Sequence, residues 1–196
     1  MIAIVDYNTG NLRSVINAVR RAGAEYVVTA DRGVIESADR VLLPGVGEAS
    51  SAMANLRETG LDEVIPRLTV PVLGICIGMQ LMCAGSEEGN VRTLGIFPTE
   101  VRRFVADRKA GIKVPHMGWN TITELNSPLF RGLDSGAWVY YVHSFAPDIC
   151  DCTIARTEYG RTFSGALGRD NFFGTQFHPE KSGTVGEQII KNFMTL

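Results

Sequence analysis

An α/β fold, with a mostly parallel central sheet covered by helices on both faces and antiparallel strands added in the second half, is predicted by three features of this 196-residue chain. Short, wholly apolar runs alternate with helical periodicity through the first half. Strand-like runs separated by turns dominate from Gly95 to Phe177. No linker of biased composition separates the two halves, so residues 1–196 read as one domain.

Each element has its own signal. Ile2 to Val5 is a continuous apolar run, the pattern of a strand buried on both faces. Leu12, Val15, Ile16, Val19 and Ala22 then fall on one helical stripe, which Gly23 ends. Tyr26 to Thr29 and Arg40 to Leu43 read as strands, the second stopped by Pro44-Gly45. A helix is expected over residues 50–68, interrupted near Gly60, followed by a strand from Val72 to Ile75 and a short buried helix from Gly78. Such alternation implies right-handed crossovers between parallel strands. Further strands are expected at 99–105, 119–123, 137–142, 153–157, 162–167 and 172–177. Helical spacing returns at the end, where Thr184-Val185-Gly186-Glu187 has the form of a capping box and Val185, Ile189 and Phe193 make a stripe.

Composition narrows the function. Apolar residues make up 45% and charged residues 20%, as in ordinary globular chains. A formal charge of −2 argues against sequence-independent binding to nucleic acid. Met1-Ile2-Ala3-Ile4-Val5-Asp6 lacks a basic n-region and reads as a first strand rather than a signal peptide, and no apolar run approaches a membrane span. The four cysteines are therefore expected as thiols in a reducing cytoplasm. Cys150-Asp151-Cys152 is too tight for a C-x-x-C redox or zinc pair.

Gly74-Ile75-Cys76-Ile77-Gly78 has the G-x-nucleophile-x-G form of an elbow. A strand turning abruptly into a helix holds its central residue in a strained conformation, and flanking side chains would collide there. Cys76 would sit at a helix N-terminus, which favours thiolate. The Ile77 amide would point to where an oxyanion forms. Taken alone, the pentapeptide fits a buried core thiol equally well.

A thiol nucleophile needs a base, and the chain has three histidines, His116, His143 and His178. His178 lies at the end of an apolar strand, in Phe177-His178-Pro179-Glu180-Lys181-Ser182. Pro179 biases His178 toward extended backbone, in which residues two apart face the same way. Glu180 could then fix the imidazole tautomer, giving a Cys76–His178–Glu180 relay. His116 and His143 have no acid two positions on and read as structural histidines. Pro44-Gly45-Val46-Gly47, ending an earlier strand, lacks the third glycine of a dinucleotide loop and the lysine of a phosphate loop. Its backbone N–H groups suit an oxyanion better, although a plain turn fits too.

The P-G-V-G loop, the G-I-C-I-G-M-Q elbow and the F-H-P-E-K-S segment, in this order, resemble the class I, triad-type glutamine amidotransferases. Asp6 to Val15, Pro115-His116-Met117-Gly118-Trp119-Asn120 and Tyr140-Tyr141-Val142-His143-Ser144-Phe145 narrow the resemblance to the glutaminase subunits of imidazole glycerol phosphate synthases, across the whole chain. That resemblance implies a flavodoxin-like fold, no cofactor and no metal. It implies a γ-glutamyl thioester on Cys76, with Val46, Gly47 and Ile77 backbone at the oxyanion hole. Gln80, Ser144 and Phe145 would hold glutamine. Ammonia would pass to a (β/α)8 cyclase subunit in a heterodimer, and Asn8, Asn11, Met117, Trp119 and Lys181 match positions facing that partner. It also implies a glutaminase nearly idle on its own, whose oxyanion loop rearranges when the partner binds its substrate. By their own residue types, Asn8 and Asn11 fit helix caps, Met117 and Trp119 are more often core residues than interface anchors, and Lys181 fits ordinary surface. Two departures stand out: Glu48-Ala49-Ser50-Ser51 lacks the aromatic often found there, and Phe145 replaces a common tyrosine. Rival readings are a glutaminase serving another ammonia-using synthase, such as that for pyridoxal phosphate, a cysteine peptidase on the same sheet, and a non-enzymatic binding module.

Overall fold

In the computed structural model, which describes residues 1–8, 12–45 and 47–196, the first apolar run forms strand β1 (Ile2–Val5), buried at every position. There follow α1 (Arg13–Arg21), β2 (Tyr26–Thr29), α2 (Arg32–Glu36), β3 (Arg40–Leu43), α3 (Ala49–Thr59), α4 (Leu61–Val64), β4 (Val72–Ile75) and α5 (Ile77–Leu81). The second half adds β5 (Gly85–Ser86), β6 (Val91–Arg92), β7 (Glu100–Arg103), β8 (His116–Ile122), β9 (Ala137–His143), β10 (Phe145–Pro147), β11 (Thr153–Glu158), β12 (Thr162–Arg169), β13 (Phe172–Thr175) and α6 (Gly183–Phe193).

The main sheet runs β11-β12-β13-β4-β3-β1-β2. Its five parallel members, read from the β2 edge, follow the flavodoxin-like order, with β13 in the fifth place. The antiparallel strands β12 and β11 extend the other edge. Both β1 and β4 are wholly buried, as strands covered on both faces must be. Helix α1 touches α6, while α3 packs on α4 and α5, giving two helical layers. Two smaller sheets stand apart: β10-β7-β5-β6 and the hairpin β8–β9.

Register decides where the chemistry goes. Leu43 lies beside Gly74, and Ile75 beside Thr175, so β3, β4 and β13 end nearly level at their carboxyl termini. That edge is where ligands bind in open α/β sheets.

The interruption expected near Gly60 is present, the capping box expected at Thr184 is not, and one short helix carried no signal. The helix of residues 50–68 is split at Gly60, whose φ of 65° closes α3 in the left-handed conformation that glycine adopts without strain. The capping box at Thr184 does not form, because α6 starts two residues earlier than that box requires, with Ser182 as its cap position. Ser182 Oγ is already committed, donating to His178 O at 2.6 Å and accepting from Tyr140 N at 2.9 Å. Helix α2 had no periodic signal in only five residues, and its start is fixed by Asp31, whose Oδ1 accepts from Val34 N at 2.9 Å.

Candidate active site

Three loops meet at the level strand ends. Pro44, Gly45 and Gly47 follow β3, Cys76 follows β4, and His178 lies just beyond β13. Cys76 has φ 53° and ψ −108°, a conformation that side chains rarely adopt. It is held there by the Cys76 N–H donating to Thr175 O at 2.8 Å, and by Cys76 O accepting from Gln80 N at 3.1 Å. The flanking glycines are required by close approach. A Cβ on Gly78 would lie 1.7 Å from Leu43 O, and one on Gly74 would lie 2.7 Å from Gly78 O. The thiol, though largely covered, opens on a cavity of about 360 Å³.

His178 is tied to the hairpin by its N–H, which donates to Tyr140 O at 2.9 Å. Its Nδ1 lies 2.7 Å from Glu180 Oε1, and a carboxylate only accepts, so Nδ1 carries the proton. Glu180 arrives by a different route from that expected. Residues Pro179–Lys181 form a 3-10 turn, so a turn rather than an extended run of alternate side chains brings the carboxylate to the ring. Nε2 makes no hydrogen bond of normal length among the described residues. Burial disfavours a charged ring, but the nearby Cys76 sulfur, through charge and hydrogen-bonding reach, and then Glu180 outweigh it. Together they raise His178 to about 10.

The remaining candidates fall into groups. Ile77 opens α5, so its N–H has no acceptor within the helix. Helix α5 is only five residues long, so local N–H groups matter more at Cys76 than any long dipole. Gly47 and Ile77 line the cavity with Gln80, Ser144 and Phe145. Gln80 Nε2 donates to Phe145 O at 3.0 Å and to Gln176 Oε1 at 2.9 Å. Val46 and Asn11 lie outside the described residues. Asn8 is exposed in left-handed backbone, its N–H on Asp6 Oδ1 at 3.2 Å, and the side chain of Leu12, at the cap position of α1, offers no hydrogen bond. Met117 and Trp119 are 63% and 52% exposed on one face of the hairpin, so neither is a core residue. Trp119 meets Tyr140 edge-on at 6.0 Å. Lys181 lines the cavity and is itself exposed. Among the described residues no group of His, Cys, Asp or Glu is placed to hold a metal, and no helix is long and apolar enough to cross a membrane.

Residues 3–196 match the family profile of glutamine amidotransferase class-I. The chain belongs to that family. Among relatives of this amidotransferase is the imidazole glycerol phosphate synthase subunit HisH of Bacteroides fragilis, 57% identical over 195 residues, covering all of this chain and 99% of that one. The HisH subunit of Yersinia pseudotuberculosis is 46% identical over 197 residues, again covering all of this chain and 99% of the other. A crystal structure of a glutamine amidotransferase superposes with a TM-score of 0.76 at 18% identity, covering 100% of this amidotransferase and 98% of that chain. A second, of a glutamine amidotransferase from Thermotoga maritima, gives 0.66 at 18% identity, covering 99% and 82%. At those identities the likeness speaks for the fold alone.

Three residues of this amidotransferase's site escaped the sequence. Glu88 lines the cavity and accepts from Ala49 N at 2.9 Å; burial raises its pKa. Nothing in Glu87-Glu88-Gly89 distinguishes it from a solvated loop. Gln176 Nε2 faces Cys76 Sγ at 3.6 Å. Its place two residues before His178, on the same strand end, was the available clue. Tyr7, wholly buried, donates to Pro44 O at 2.7 Å and anchors the loop after β3.

Proposed function

We propose that this chain is the glutaminase subunit of an imidazole glycerol phosphate synthase. Cys76 gives its thiol proton to His178 Nε2 and attacks the side-chain amide carbon of L-glutamine. Backbone N–H groups around Val46, Gly47 and Ile77 receive the oxyanion. His178 gives its Nε2 proton to the leaving ammonia, and a γ-glutamyl thioester remains. Water, deprotonated by the same nitrogen, then releases glutamate. Glu180 holds the ring and balances its charge throughout.

The observation that carries this reading is Cys76 facing a Glu180-bonded His178 in a cavity of about 360 Å³. That volume lies at the small end of ligand pockets and suits a single amino acid better than a peptide. Within it Glu88 is the one acid among the described lining residues, placed to attract the α-ammonium group, while Gln80, Ser144 and Phe145 bind the rest of the amino-acid end. The ammonia passes to a (β/α)8 cyclase subunit. That partner uses it on a phosphorylated ribulosyl-aminoimidazole to give imidazole glycerol phosphate and an aminoimidazole carboxamide ribotide. Asn8, Asn11, Met117, Trp119 and Lys181 face that partner in the heterodimer, and the work is done in the cytoplasm. The relatives' names, which call them subunits of that synthase, support this pathway over others.

The test is glutamate release by the purified chain, measured alone, with a cyclase partner and its ligand, and with the synthase partner of pyridoxal phosphate formation. Stimulation by the cyclase alone is expected, with none for Cys76→Ala. Stimulation by the other synthase instead would overturn the pathway, and an inert Cys76 would overturn the chemistry.

A further inference from the structure

Two histidines outside the proposed chemistry stand in a directed chain of hydrogen bonds that ends at the glutamine pocket. His116 and His143 pair across the β8–β9 hairpin, both buried, with His116 Nδ1 2.9 Å from His143 Nε2. His143 Nδ1 lies 2.8 Å from Phe145 O. A carbonyl oxygen only accepts, so His143 carries its proton on Nδ1. Its Nε2 then offers a lone pair, and His116 Nδ1 must be the donor to it. His116 Nε2 is left as an acceptor facing Asn120 Nδ2 at 3.4 Å, and that amide is itself oriented by donating to Glu158 O at 3.0 Å. Both rings are neutral. Burial lowers His116 to about 4, and burial, with neighbouring charges, lowers His143 to about 3. His116 is further clamped between the rings of Tyr141 and Tyr159, with centroids at 4.8 and 3.8 Å.

The chain stops on an oxygen that is shared. Phe145 O has two lone pairs, and it accepts from His143 and from Gln80 Nε2. The second Gln80 N–H goes to Gln176. Both amide hydrogens are thereby committed, and Gln80 Oε1, buried with no partner among the described residues, is the acceptor left over. Remove the His143 donor and the Phe145 carbonyl is free to turn, taking the Gln80 amide with it.

We propose that His116 and His143, both as Nδ1–H tautomers, are positioning residues that hold the Phe145 carbonyl, and through it the Gln80 amide, in the orientation that binds glutamine. This rests on the glutaminase reading for its kinetic part, and on the hydrogen-bond geometry together with the neutrality of two buried rings for the tautomers. Nitrogen-15 spectra of the histidine-labelled full chain should show protonated Nδ1 and unprotonated Nε2 on both rings. Asparagine at 143 places an amide where Nδ1 was, whereas glutamine places one where Nε2 was. With glutamate release measured in the complex with the cyclase subunit, His143→Asn should keep the KM for glutamine within about threefold of wild type. His143→Gln should raise it at least about tenfold while kcat falls less, the size expected for a lost buried hydrogen bond. Protonated Nε2 on either wild-type ring, or equal KM changes in the two variants, overturns the proposal. Should His143→Gln fail to fold, the spectra decide. A wild-type complex that turns over no glutamine defeats the glutaminase reading instead, and the spectra still decide the relay.

Discussion

His178 Nδ1 donates to Glu180 Oε1 across 2.7 Å, and both side chains are only 4% exposed. With that nitrogen occupied, the ring's other nitrogen is left for Cys76. Burial, the largest single influence on His178, lowers its pKa, while Cys76 and Glu180 raise it. Cys76→Ala therefore leaves burial opposed by Glu180 alone, and the His178 pKa should fall well below its value of about 10, as an NMR titration of the ring would read. A value still near 10 would mean that the thiol is not its neighbour. Glu180→Gln removes the orienting charge, and glutamate release should drop on the order of 10²–10⁴-fold.

Gly78 and Gly47 should respond differently to alanine. At Gly78 the new methyl group would lie 1.7 Å from Leu43 O, and strand and helix must separate to admit it. Gly78→Ala is expected to cost about 3 kcal/mol or more in urea unfolding. Gly47 has open space around it but a φ of 97°. Gly47→Ala should cost about 1 kcal/mol in stability while slowing glutamate release, because the strain falls on the loop beside the thiol.

Tyr7→Phe tests the anchor beneath that loop. It leaves Pro44 O without the hydroxyl at 2.7 Å, in a place closed to water. The expected loss is about 1–3 kcal/mol, read from the denaturant midpoint, together with a lower kcat/KM.

Acid should destabilise the fold through the histidine pair. Both pKa values are lower in the folded chain than the ordinary value near 6.5, so the unfolded chain binds more protons below that pH. This contribution to stability is complete above about pH 6.5 and is lost as pH falls toward 4 and 3. His178, raised to about 10, contributes in the opposite direction over this window, so the test is the difference. Between pH 7.5 and pH 5 the urea midpoint of His143→Asn, which cannot titrate, should fall less than that of the wild type.

Trp119→Ala should weaken association with the cyclase subunit by about 2 kcal/mol, the scale of an interfacial aromatic anchor. Unfolding of the free chain should change by no more than about 0.5 kcal/mol, since the side chain is 52% exposed. Titration calorimetry of the complex and denaturation of the free chain separate the two.

Much of this molecule was legible because its strongest signals are local. Strand runs such as Ile2–Val5 and Val72–Ile75 carry their burial in their own composition, and the glycines around Cys76 announce a close approach within five residues. What could not be read depends on distant partners. Strands β5, β6 and β10 are two or three residues long and exist only through pairing within the small sheet. Glu88 enters the cavity from a polar loop, and Gln176 reaches Gln80 and Cys76 across the sheet. His116 and His143 looked idle because neither has an acid nearby in sequence, yet the hairpin register sets each opposite the other. Thr184 shows the converse, a capping box that local sequence offers but that the earlier start of α6 at Gly183 overrides.

The level ends of β3, β4 and β13 carry one more consequence. The loop from Pro44, the thiol at 76 and the imidazole at 178 share no local neighbourhood along the chain, so they converge only after the parallel strands have aligned. A nascent or partly unravelled polypeptide thus exposes Cys76 without its imidazole, and the pair forms only at the stage when these strands align. The rate at which an alkylating reagent captures Cys76, set against Cys150 and Cys152, would serve as a clock for that stage.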